Sequence, residues 1–133
     1  MDLTPRSPAV RGPADAFTGE VWFEARHRGP EPGGMRLNAV RFAPAARTAW
    51  HTHGRGQTLY VTDGVALVVT RAGQVAVLGP GDTAWCPPGE EHWHGAGPNG
   101  FMTHLAIMAG DDPVWGDHVT DAEYASAAAR FDR

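Results

Sequence analysis

A chain of 133 residues, 42% hydrophobic and with a net charge of −4, is long enough for one packed domain and too apolar to stay disordered. Its eleven cations are scattered and all are arginine, which excludes a phosphate-tracking basic surface, Schiff-base lysine chemistry and a P-loop. One cysteine, Cys86, allows no internal disulfide, no apolar run nears the ~18 residues of a membrane span, and the first residues carry no secretory signal. The expectation is a cytoplasmic protein with neither nucleic acid nor membrane as a partner.

In chain order, residues 1–16 hold Pro5, Pro8 and Pro13 with little periodicity and read as an extended arm. From Glu20 the pattern becomes short β-rich runs: Glu20–His27, Met35–Ala43, Thr48–His53, Gln57–Thr62, Val65–Arg71, Gln74–Leu78, Asp82–Cys86, His92–Gly95 and Gly100–Met108. Turn signals at Asp63-Gly64, Ala72-Gly73 and Gly79-Pro80-Gly81 separate them, the mark of an all-β sandwich or barrel. Thr120 and Glu123 form a capping box ahead of alanine-rich Asp121–Arg130, so one short C-terminal helix is predicted. The division is therefore an arm (1–16), a barrel (17–118), and a helix with its tail (119–133).

Five of the seven histidines fall between positions 51 and 104. In His51-Thr52-His53-Gly54-Arg55-Gly56-Gln57, residues two apart on a strand share a face, so His51 and His53 project together. Gln57 follows a turn at Gly54–Gly56 and can return a carbonyl oxygen to the same point. Beyond Pro87-Pro88-Gly89, His92 and His94 repeat the His-x-His alternation. Inward imidazoles without an ion would leave ring nitrogens buried and unpaired, at roughly 1–3 kcal/mol each. Three imidazoles and an oxygen suit Mn, Fe, Co, Ni or Zn better than Ca or Mg. The alternative leaves Gln57 outside the coordination.

These residues resemble the cupin superfamily. Its first motif matches His51, His53, Gln57 and Gly64, and its second matches Gly81, Pro87, Gly89 and His92. The resemblance implies a cupin jelly-roll β-barrel with a metal bound inside, near the wider mouth. Where the usual motif has Glu, this chain has Gln57, which leaves the site one positive unit richer. The segments Ala46–His53, Gly56–Leu59, Glu91–Ala96, Met102–Ile107 and His118–Asp121, with Gly12–Asp15 and Phe17–Gly19, are similar to the manganese-dependent cupin hydroxynitrile lyases. That similarity implies His51, His53, Gln57 and His92 as ligands of Mn2+, with Fe2+ second and Ni2+, Co2+ or Zn2+ as alternatives. It places His94 and His104 beside the open coordination positions as catalytic groups. The other readings make His94 a hydrogen-bond partner of the ligands and His104 a packed barrel residue.

Period-two alternation puts Asn38, Val40, Phe42, Leu59, Val61, Ala106 and Met108 around an apolar pocket for a small-molecule substrate. Trp50, Trp85 and Trp93 have outward parity. The function expected first is cleavage of a cyanohydrin-type α-hydroxy compound. An Fe(II)- and O2-dependent dioxygenase or oxidative tailoring enzyme comes next, then a metal-dependent isomerase, decarboxylase or cyclase, then a non-catalytic binding module. Exposed sheet edges and the proline-rich arm favour a homodimer.

Overall fold

Alternating apolar and polar residues close into two antiparallel sheets facing each other. The computed structural model describes residues 1–110 and 113–132. In chain order the strands are β1 (Val10–Arg11), β2 (Phe17–Thr18), β3 (Val21–Arg28), β4 (Met35–Phe42), β5 (Arg47–Thr48), β6 (His51–Thr52) and β7 (Gln57–Asp63). They continue as β8 (Ala66–Thr70), β9 (Val75–Leu78), β10 (Thr83–Cys86), β11 (His92–Ala96), β12 (Met102–Ala109) and β13 (Val114–Trp115). One sheet runs β1-β3-β4-β12-β7-β10; the other runs β13-β6-β11-β5-β2, with the β8–β9 hairpin joined to β11. The fold is all-β and barrel-like, with one short C-terminal helix.

Two apolar clusters hold it. Between the sheets lie Val21, Val40, Phe42, Leu59, Val61, Met102 and their neighbours. Full burial of such side chains contributes about 1.5–3 kcal/mol each. Outside the second sheet, Trp50, Leu67, Val69 and Trp93 pack against Tyr124 and Ala127 of helix α1 (Asp121–Ala128). Trp50 and Trp93 thus carry outward parity and are nevertheless buried, because the helix covers them; Trp85 stays 57% exposed.

The capping box forms as the sequence indicates: Thr120 Oγ1 accepts from Glu123 N–H and Thr120 N–H donates to Glu123, both at 3.0 Å. The expected helix lies within the alanine-rich run as Asp121–Ala128, and Ala129–Asp132 continue as a 3₁₀ turn. Residues 1–16, expected as an extended arm, are tied to the first sheet: β1 pairs with β3, Arg6 pairs with Glu24 at 2.9 Å, and Ala16 is buried. One further expectation is corrected: Thr48–His53 is not one strand. Ala49 N–H turns to the Ala16 carbonyl and Trp50 N–H to the Asp117 carbonyl, at 2.8 and 2.9 Å, which splits the run into β5 and β6. The predicted tail includes Arg133, and the barrel span includes Asp111 and Asp112; these three lie outside the described residues.

No helix among the described residues is long and apolar enough to cross a membrane.

Candidate metal centre and active site

Four side chains from three places in the chain meet at one end of the barrel interior. His51 opens β6 and is the register partner of His92 at the start of β11. His53 follows in the connecting turn, where its carbonyl accepts from Gly56 N–H at 3.2 Å and from Gly89 N–H at 3.1 Å. That second bond ties the Pro87-Pro88-Gly89 turn to the His-x-His segment. Gly56 stands at φ +79°, and a Cβ there would strike the Trp85 ring and lie 2.9 Å from the Cys86 carbonyl. Only glycine lets the turn close tightly enough to bring Gln57 back to the histidines.

One nitrogen from each of His51, His53 and His92 lies within 4.8 Å of the others, and all three rings are buried. His51 Nδ1 faces the Ala49 carbonyl and His92 Nδ1 faces the Glu90 carbonyl, both at 2.9 Å. A carbonyl only accepts, so each Nδ1 carries the proton and each Nε2 presents a bare lone pair. Metal-binding imidazoles are oriented by such outer hydrogen bonds.

Gln57 Oε1 lies 3.2 Å from His92 Nε2, while its amide nitrogen points to Met108 Sδ at 3.9 Å. Two acceptors facing each other repel unless a proton or a cation lies between them. Protonating the rings is disfavoured: burial, with the neighbouring histidines, pushes His51 down to about 3, and burial lowers His92. A divalent cation satisfies what a proton does not, so the residues present fit a metal of the nitrogen- and oxygen-binding kind.

Beside this cluster, His94 of β11 and His104 of β12 form a fully buried pair, His94 Nδ1 to His104 Nε2 at 2.9 Å. Thr48 Oγ1 accepts from the His94 backbone N–H at 3.2 Å and fixes its strand. His104 faces inward by the same alternation as Met102, Ala106 and Met108 on β12, whose pairing with β4 is unbroken, while a bulge leaves Thr62 of β7 unpaired between Asp63 and Val61. The remaining ring atoms, His94 Nε2 and His104 Nδ1, are buried without a hydrogen-bond partner. Burial first, then the neighbouring imidazoles, holds His94 well below its ordinary value, and burial lowers His104 to about 4. Both rings are neutral near pH 7.

His51, His53, His94 and His104 line a cavity of about 270 Å³. Of the pocket residues expected from the sequence, Asn38, Val40, Ala106 and Met108 line it. Phe42, Leu59 and Val61 do not: they point inward as parity requires but are packed in the inter-sheet core, where side chains fill the barrel. Sequence reasoning missed the mouth. Pro13, Ala16 and Phe17 from the N-terminal segment, Phe23 of β3, Arg36 of β4, Thr48 of β5, and Pro113 and Trp115 complete the wall. Phe23 and Arg36 had a signal, since they alternate with Val21 and Asn38 in expected strands; Pro13, Ala16, Phe17, Pro113 and Trp115 come from segments without strand periodicity. The Trp115 ring lies 4.7 Å from that of His51 and 6.0 Å from that of Phe17.

The cupin domain family matches residues 38–108, and the chain belongs to it. The chain is 48% identical over 117 residues to an (R)-mandelonitrile lyase of Granulicella tundricola, a match covering 86% of this chain and 89% of that protein. A cupin-like protein from Thermotoga maritima superposes with a TM-score of 0.86 at 34% identity, over 96% of this chain and 97% of the other. The polyketide cyclase RemF from Streptomyces resistomycificus shares the fold, with a TM-score of 0.72 at 21% identity over 93% of this chain and 90% of its own.

Proposed function

We propose that this chain is a metal-dependent carbon–carbon lyase that splits an aryl cyanohydrin into an aldehyde and hydrogen cyanide. The observation that carries the reading is the His51–His53–His92 cluster with Gln57, set against a neutral histidine pair that opens on an apolar cavity. The 48% identity to a mandelonitrile lyase supports a lyase-type enzyme and favours cyanohydrin cleavage over the other chemistries such a site can serve.

His51, His53, His92 and Gln57 would hold Mn2+, with Fe2+ as the second choice. Bound there, the ion supplies positive charge toward developing negative charge. His94 and His104 handle the proton. With the shared proton on His94 Nδ1, His94 Nε2 offers its lone pair to the substrate hydroxyl. As that proton leaves, the O–H electron pair forms the carbonyl, the C–CN bond breaks, and cyanide departs with the bonding pair. The proton then passes from the histidine pair to cyanide, and the rings return neutral. Burial helps the return, since a protonated ring here is costly. Phe17, Phe23 and Trp115 keep the cavity apolar around the aryl group and exclude water.

The test is cyanide and aldehyde release from an aryl cyanohydrin by the manganese-loaded protein. His94→Ala and His104→Ala should each lower the rate by about 10²-fold or more, the size of a lost general base. No cyanide from any aryl cyanohydrin would remove the proposal. Oxygen uptake by the iron-loaded protein with a phenol would instead favour the dioxygenase reading.

A further inference from the structure

The strands that carry His51 and His92 are fastened together on their outer side by one arginine. Trp50 and Glu91 immediately precede His51 and His92, just outside those strands. Arg71 follows β8. Its guanidinium lies over the Trp50 indole, 3.7 Å from the ring centroid, and donates to the Glu91 carboxylate at 2.6 Å. Its backbone N–H donates to the Glu91 carbonyl at 2.9 Å, and a second guanidinium nitrogen lies 3.6 Å from Glu123 on α1. Because His51 and His92 are register partners, a bar across Trp50 and Glu91 spans this same pair from outside.

We propose that Arg71 is a positioning residue for the metal centre, a brace that sets the spacing of His51 and His92 before an ion arrives. The proposal rests on the reading of the histidine cluster as a metal site. An exposed ion pair by itself does little. Arg71 differs in joining two ligand-bearing segments through an indole that is only 4% exposed, so its hold on Trp50 is transmitted to a packed side chain. Without the brace, the two segments would have to be ordered at the moment of binding, and affinity would fall. The donor atoms would stay the same, so the geometry of the loaded site would not change.

The experiment is a Co2+ titration followed by visible absorption, alongside melting of the metal-free proteins. Arg71→Ala should weaken Co2+ binding about tenfold, the size seen when outer partners of metal ligands are removed. Its spectrum at saturation should match the parent protein, and its metal-free melting temperature should be nearly kept. Arg71→Lys, which keeps a cation beside Glu91 and Trp50, should recover part of the affinity. Parent-like affinity in Arg71→Ala overturns the proposal, as does a weakening fully accounted for by a larger unfolded fraction. Should Arg71→Ala fail to fold, Glu91→Gln removes only the ion pair; roughly threefold weaker binding is then expected, and unchanged affinity overturns the brace. If the parent protein binds no Co2+, the metal-centre reading itself fails, an outcome distinct from failure of the brace alone.

Discussion

Replacing His104 with glutamine in the metal-free protein should flatten the acid side of its stability profile. His104 is fully buried, and its folded-state value of about 4 lies below the 6.5 of the unfolded chain. A lowered value means that the unfolded state binds the proton first. The contribution of His104 is therefore complete above about pH 6.5 and is lost as pH falls toward 4. Between about pH 7 and pH 5 the linkage relation gives a loss of roughly 2 kcal/mol from this one group. Urea unfolding of the metal-free protein at both pH values measures it. The parent protein should lose roughly 2 kcal/mol more than His104→Gln on acidification, while the variant is less stable at neutral pH through its altered contact with His94. Equal losses in the two proteins would refute the claim that this ring is held neutral by burial.

Trp115→Ala should raise KM for an aryl substrate about fivefold, from the loss of about 1 kcal/mol of aromatic contact at the mouth, and should affect a short aliphatic cyanohydrin less; steady-state kinetics on the two substrates compares them. Gly95→Val should destabilise by at least 1–3 kcal/mol, because a Cβ at this position strikes the Ala46 carbonyl and lies 2.7 Å from Arg47 Cβ across the β5–β11 pair. Thermal unfolding reads that loss.

The long strands of the two sheets were legible because alternation is a local property: β4, β7 and β12 begin or end within one or two residues of their expected limits, whereas the two-residue β1, β2 and β13 fall in none of the expected runs. The histidine cluster was legible for the same reason, since His-x-His on a strand fixes a common face before any partner is known. What could not be read depends on distant contacts. Ala49 and Trp50 look like strand interior, yet they leave the ladder for partners 33 and 67 residues away, Ala16 and Asp117. Pro13, Phe17 and Trp115 become cavity wall only because two segments without periodicity fold back over the barrel mouth. Phe42, Leu59 and Val61 show the converse. Parity gives the inward face, but how far the cavity extends along that face depends on the packing of every strand at once.

The most direct measurement is a crystal structure of the protein grown with Mn2+, with anomalous differences recorded for the ion. The account predicts a single strong peak about 2 Å from one nitrogen each of His51, His53 and His92 and from the Gln57 side-chain oxygen. No peak at that point, or a peak held by other side chains, would contradict it.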